Sequence, residues 1–308
     1  MSTTTTTTTT TTTGRAAIGD VRPLTGALGA EVRGVDLTRL DDEQWDALYA
    51  TWLEHLVLFF PRQSLDADAH VALGRRFGTP EIHPYIPKRD ADHPEIVVLD
   101  TVGGGAEFWH TDVTFSATPP MASILQMIMN PPRGGDTLFT NQYLAYETLS
   151  DPIRDLLEGL TAVHTATLFG HPEQNVAHPV VRTHPDTGRK SLFVNRTFTS
   201  HLVEVRRSES DALLEYLYTW SEQPQFQCRY AWSEGTIGIW DNRCTQHYAV
   251  PDYDERRVIE RVTVIGDTPL GGTARWEPFT KRQGYHHGYA RDDTGAMETD
   301  LRANSISK

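Results

Sequence analysis

The sequence predicts a mainly β chain with flanking helices, folded as a barrel or double-sheet roll. Three observations carry that reading. Short runs rich in β-branched and aromatic residues recur along the chain, separated by Gly and Pro turns. Helical periodicity is confined to a few stretches. No linker divides the interior of the 308 residues, and with 38% of them hydrophobic they suffice for one large domain. The expected organisation is a disordered tail over 1–14, one domain over 15–270 and an extension over 271–308.

The unbroken threonines from Thr3 to Thr13 offer no apolar face to bury, which is why the tail is expected to be disordered. Between Val21 and Leu37, short apolar groups broken by Gly26, Gly29 and Gly34 read as strands with turns. Asp41 or Asp42 then caps a helix whose Trp45, Leu48, Tyr49, Trp52, Leu53 and Leu56 recur at helical spacing. Val57 to Phe60, ended by Pro61, reads as a buried strand, and Asp66 to Phe77 as a second helix stopped by Gly78. Strands are expected at Ile96 to Leu99, Glu107 to Phe115, Ala122 to Met129 and Thr137 to Phe139. Asn141 to Leu160 reads as mostly helical, interrupted near Pro152. A strand over Leu160 to Leu168 follows, then two more, His178 to Val181 and Leu192 to Val194, around a His184-Pro185-Asp186-Thr187-Gly188 turn. Ser208 to Glu222 is a helix with Leu213, Leu214 and Leu217 near one face. Three strands close the pattern, at Phe226 to Trp232, Thr236 to Trp240 and Val258 to Ile265.

Composition excludes several classes of function. A formal charge of -13 argues against a nucleic-acid backbone as partner. Two cysteines, Cys228 and Cys244, do not make a secreted disulfide scaffold, so reduced thiols and a cytoplasmic setting are expected. No apolar run approaches the roughly 20 residues needed to span a bilayer, so no membrane partner is expected. A small anionic substrate would need local arginines.

The chemistry centres on Trp109-His110-Thr111-Asp112-Val113-Thr114-Phe115. If this stretch is a strand, His110 and Asp112 share a face and could grip one metal ion. A third ligand must come from far away in sequence, and His247 is the candidate. Two histidines and a carboxylate on one face of an iron leave three positions open for chemistry. His-x-Asp alone is weak: the chain repeats it as His184-x-Asp186, where the Pro-Asp-Thr-Gly composition favours plain turn chemistry. Spacing alone leaves His110 open between a ligand and a satisfied core histidine. Beyond His247 lie Arg257 and Arg261, on one face of a strand and roughly 13 Å apart, too far to hold one small carboxylate but able to hold two anions. They could instead pair with acids such as Glu255 and Glu260.

With these residues in view, the chain from about Val21 to Pro269 resembles the taurine dioxygenase / 2,4-dichlorophenoxyacetate dioxygenase family. The specific segments are Trp109 to Phe115, Gly134-Gly135-Asp136-Thr137, His178 to Pro185, and Trp240-Asp241-Asn242-Arg243-Cys244-Thr245-Gln246-His247 with the arginines after it. The resemblance implies a double-stranded β-helix core of the jelly-roll, cupin-like kind, and an iron(II)- and 2-oxoglutarate-dependent dioxygenase using O2. It implies that His110, Asp112 and His247 bind iron, and that Thr137 and Arg257 hold the distal carboxylate of 2-oxoglutarate. Members that use sulfonates and sulfate esters imply His83, Val113 and Arg261 around the anionic head, with Phe115 and Phe198 as apolar walls. Where the taurine enzymes offer an asparagine and a tyrosine near the substrate amine, this chain has Ala106 and Ile86. The segment between His164 and His178 is also shorter than their lid.

An alkyl sulfate ester or sulfonate is therefore the expected substrate class, with an aryloxyalkanoate or other carboxylate as its competitor. Two readings of other classes stand beside it, a zinc-dependent hydrolase on the same triad and a non-catalytic β-sandwich binding protein. A homo-oligomer, dimer or tetramer, is expected.

Overall fold

The computed structural model describes residues 18–280 and the backbone of two short strands, Ala290–Arg291 and Met297–Glu298. The threonine-rich tail of 1–14 lies outside these residues, as does most of the 271–308 extension. Two edge strands, β1 (Asp20–Pro23) and β2 (Ala30–Arg33), precede helix α1 (Asp42–His55). Asp41 caps α1, accepting from the Gln44 backbone N–H while the Gln44 side chain reaches back. Strand β3 (Val57–Phe60) and helix α2 (Ala67–Phe77) follow, the latter capped by Asp66.

The chain then builds β4 (Ile96–Val102), β5 (Ala122–Met129) and β6 (Thr137–Asn141). Helices α3 (Gln142–Glu147) and α4 (Asp151–Leu157) come next, and Pro152 lies in the first turn of α4, where its missing N–H costs nothing. Strands β7 (Thr161–Ala166), β8 (His171–Pro179), β9 (Val181–Thr183), β10 (Lys190–Leu192) and β11 (Thr199–Leu202) lead to helix α5 (Arg207–Ser221). The last strands are β12 (Gln227–Tyr230), β13 (Ile237–Asp241), β14 (Thr245–Ala249), β15 (Arg256–Val264) and β16 (Leu270–Gly271). Among the described residues no helix is long and apolar enough to cross a membrane.

A seven-stranded sheet runs β1-β2-β3-β13-β5-β15-β4, and a smaller sheet β12-β6-β14 faces its centre. Together they form a jelly roll. Strand alternation assigns the two faces: Val57, Phe59, Leu125, Met127, Trp240 and Ile259 pack inward with Phe139 and Tyr230 of the smaller sheet. Leu58, Phe60, Ile124, Ile237 and Ile239 pack outward under Leu48, Trp52 and Leu73 of the first two helices. Burying a side chain such as Phe139 or Leu48 contributes about 1.5–3 kcal/mol. A second cluster joins α3, α4 and α5 to β7, β9, β10 and β11 around Leu157, Val181 and Leu217.

The structure departs from the sequence reading at several points. Glu107 to Phe115 is not a strand: His110 makes a single bridge to His247, and residues 112–115 turn, with Val113 in the left-handed region at φ 49°. The side chains that hold this turn come from β7, β8 and the loop at Asn195, which no local pattern displays. β14, which carries His247, was not anticipated, and β8 begins at His171 rather than His178. Phe193 and Val194 lie beyond the end of β10.

Candidate active site

His110, Asp112 and His247 converge although they do not share a strand. The backbone of His110 exchanges both bonds with that of His247, at 3.1 and 2.8 Å, and the Thr111 hydroxyl donates to the Thr245 carbonyl. Nε2 of His110 stands 3.8 Å, and Nε2 of His247 3.9 Å, from the same carboxylate oxygen, Asp112 Oδ1. His110 Nδ1 lies 2.7 Å from the Phe108 carbonyl, which can only accept, so this nitrogen carries the hydrogen and Nε2 presents its lone pair. Burial lowers the pKa of both imidazoles, and of His247 well below the ordinary range. Burial alone would raise the Asp112 carboxyl, but Arg261 and the two histidines outweigh it and hold it well below the usual range. Two neutral imidazoles and one carboxylate, all buried and close together, are the kind of donor set that can hold a divalent metal ion with positions left open.

Asp112 is oriented by neighbours that spacing could not reveal. Its other oxygen, Oδ2, accepts from the Ser123 hydroxyl at 2.8 Å, and Ser123 accepts from Asn242 Nδ2, whose Oδ1 accepts from the Trp240 indole. Oδ1 is thereby the oxygen left facing the histidines. The turn beneath is held from the far side: His178 Nε2 reaches the carbonyls of Thr114 and Ser116, each at 3.0 Å, and His164 and Asn195 reach the Thr114 hydroxyl. This network fixes Val113, a β-branched residue, in a conformation it seldom adopts. The second His-x-Asp is a turn, since His184 Nδ1 accepts from the backbone N–H of Asp186 and Thr187. It is also a brace, because His184 Nε2 donates to the fully buried Asp241, whose oxygens bind Arg243 as well. With Arg243 paired to Asp241, the carboxylate of the His184, Asp241 and Cys244 group is already engaged. Cys228 and Cys244 are free and buried, and burial raises both thiol pKa values.

Arg257 and Arg261 leave β15 on one face and reach the same cavity, of about 310 Å³, as the triad. Neither pairs with Glu255 or Glu260; Glu260 binds Arg89 instead. Arg257 is buried with no acid partner among the described residues, its Nε unmatched, and burial lowers its pKa. Thr137 shares the face of His247, because His247 opposes Phe139 two residues along β6. Its hydroxyl accepts from the Trp232 indole at 2.9 Å, which leaves its own hydrogen available. Gly135, at φ 70°, lets the backbone pass Arg257: a Cβ there would meet Arg257 Cδ at 3.1 Å. A buried guanidinium beside a free hydroxyl fits a small dicarboxylate that also reaches the metal.

Arg261 donates from Nη1 to Asp112 Oδ1 at 2.8 Å. His83 lines the cavity, and its Nδ1 accepts from the backbone N–H of Tyr85 and Ile86, so its hydrogen sits on Nε2. Burial, then Arg261, pushes its pKa down to about 4, making it a neutral N–H donor. Val113 and Phe198 line the cavity, as do Ile86 and Ala106. Phe115 is not among the lining residues; it backs Phe198, with ring centroids 5.2 Å apart, in a cluster completed by Ala166, Tyr85 and Phe169.

Comparisons with known proteins identify the family. A family model described as taurine catabolism dioxygenase TauD, TfdA family, matches residues 20–263. An alkylsulfatase of Acinetobacter baylyi is 38% identical over 274 residues, covering 82% of this chain and 86% of that one. An alpha-ketoglutarate-dependent sulfate ester dioxygenase of Pseudomonas putida is 34% identical, covering 85% and 95%. The crystal structure of a taurine dioxygenase from Burkholderia xenovorans superposes with a TM-score of 0.77 at 40% identity, covering 86% and 95%. The chain belongs to the TauD/TfdA family of dioxygenases.

Proposed function

We propose that this 2-oxoglutarate-dependent dioxygenase hydroxylates the C–H bond next to the head group of an alkyl sulfate ester or alkyl sulfonate. In this reading His110, Asp112 and His247 hold iron(II), Thr137 and Arg257 hold the distal carboxylate of 2-oxoglutarate, and Arg261 and His83 hold the substrate head. One observation carries the choice of substrate. The cavity offers a permanent cation and a neutral N–H donor at one end, and Val113, Phe198, Ile86 and Ala106 elsewhere. Among the described residues that line it, the only acid is Asp112, already engaged by Arg261, so no free carboxylate is left to pair with a substrate ammonium group. That composition suits an anion with an apolar tail.

Iron bound there, with 2-oxoglutarate and O2, supplies the oxidant for C–H hydroxylation and yields succinate and CO2. The chain contributes position and exclusion of water. Arg257 matches a carboxylate bidentately, and Thr137 donates to the same group. Arg261 and the His83 Nε2–H fix the sulfonyl oxygens, while Val113 and Phe198 orient the tail and keep water from the reacting carbon. Hydroxylation of the carbon bearing the head group makes the product unstable. In a sulfate ester the C–O bond to sulfate breaks, the hydroxyl loses its proton to form the carbonyl, and sulfate leaves; in a sulfonate the C–S bond breaks and sulfite leaves.

The test is succinate formed from 2-oxoglutarate with alkyl sulfates, alkyl sulfonates, taurine and 2-phenoxypropionate, with sulfate and sulfite assayed alongside. Oxygen-dependent succinate with stoichiometric sulfate or sulfite from the alkyl substrates is expected. Greater turnover with taurine or phenoxypropionate would overturn the substrate reading.

A further inference from the structure

Arg261 and the donor set meet on one atom. Asp112 Oδ1 accepts from Arg261 Nη1 at 2.8 Å, and the same oxygen faces Nε2 of both histidines. Oδ2 offers no alternative, being held by Ser123. The side chains of Asp112 and Arg261 are only 5% and 6% exposed, so solvent screens them little. Glu81, the other acid near Arg261, accepts from the Thr263 hydroxyl at 2.8 Å, and burial raises its pKa, which makes it a weak substitute counter-ion. A divalent cation at the triad and the Arg261 guanidinium therefore draw on one carboxylate oxygen.

We propose that metal binding and substrate-anion binding are coupled through Arg261. With no anion present, the guanidinium occupies Asp112 Oδ1, repels an incoming cation and weakens the metal site. An anion that takes hydrogen bonds from Arg261 frees the oxygen and offsets the charge, so the metal binds more tightly. Linkage makes the effect reciprocal: bound metal raises anion affinity by the same factor. The protein without metal, in which Arg261 and Asp112 neutralise each other, binds its substrate poorly and does not trap anions in an inactive state. This coupling rests on the reading of Arg261 as part of the anion clamp.

The experiment is a titration of the whole protein with Mn(II), without 2-oxoglutarate, in sodium sulfate or in sodium chloride of equal ionic strength, read by calorimetry. Sulfate should tighten Mn(II) binding about tenfold, within the usual range of coupling between sites. Arg261→Gln should bind Mn(II) more tightly than wild type in chloride and lose its response to sulfate. Equal Mn(II) affinity of the wild type in the two salts, with sulfate nonetheless binding the Mn(II) form, overturns the coupling and leaves the anion clamp standing. Mn(II) affinity in a folded Arg261→Gln that is no higher than wild type also overturns it. Failure of sulfate to bind either form overturns the clamp and the coupling together. The wild-type comparison needs no variant and so survives any folding defect.

Discussion

Acidification should destabilise this protein through imidazoles that folding keeps neutral, and His70 gives the cleanest measure. It sits in α2 with no exposure, donates from Nε2 to the Ile124 carbonyl of β5 at 2.9 Å, and leaves Nδ1 without a partner among the described residues. Burial pushes its pKa from 6.5 down to about 4. A depressed imidazole takes up its proton in the unfolded chain first, so the penalty is negligible well above pH 6.5 and grows as pH falls towards 4. From those two values the cost is about 0.2 kcal/mol at pH 7 and about 2 kcal/mol at pH 5, a loss of about 1.8 kcal/mol over the step. Urea unfolding of the wild type and of His70→Gln at both pH values isolates this contribution, since glutamine keeps an N–H for Ile124 and does not titrate. The wild type should lose about 1.8 kcal/mol more than the variant, about 0.6 M in urea midpoint for a slope near 3 kcal/mol/M. Equal losses in the two proteins would refute the reasoning. The residue matters to the site because Ile124 adjoins Ser123, which orients Asp112.

Two other outcomes follow from the site. Arg257→Gln should weaken 2-oxoglutarate binding by about 2–3 kcal/mol, roughly 30- to 150-fold, while raising the melting temperature of the ligand-free protein, because it removes an unpaired buried cation; calorimetry and thermal melts check both, and a lowered melting temperature would count against the unpaired charge. Ser123→Ala leaves Asp112 Oδ2 and Asn242 Nδ2 without their partner and should weaken metal binding about 10- to 100-fold. Unchanged Mn(II) affinity in a folded Ser123→Ala would show that Asp112 is oriented without it.

Much of this architecture was legible in the sequence because its signals are local. Trp52 and Leu48 declare α1 by spacing, Val57 to Phe60 is too apolar for anything but a strand buried on both faces, and the shared face of Arg257 and Arg261 follows from strand alternation. Strand alternation is only partly the right basis for the triad. His110 and Asp112 do face one point, but through a bridge and a turn rather than a strand. That turn is held by His178, His164 and Asn195, which lie 64, 50 and 81 residues from Thr114 along the chain. β14 escaped notice because Thr245-Gln246-His247-Tyr248-Ala249 has little β-branched character and is defined by pairing with β6. The roles of Ser123, Asn242 and His184 had no local signal at all, since hydroxyl, amide and imidazole groups acquire meaning only from their buried partners.

The bridge between His110 and His247 joins positions 137 residues apart, and a backbone bond from the Ala249 N–H to the Ala106 carbonyl at 3.1 Å ties the same two segments together. No fragment from either half of the chain possesses all three donors. A cation that needs the complete set cannot template the early stages of folding; it can bind only after the sheets have closed and β14 has docked on β6. Metal affinity is thus a reporter of the finished fold, and stabilisation by metal acts on the native state by mass action rather than on the route to it.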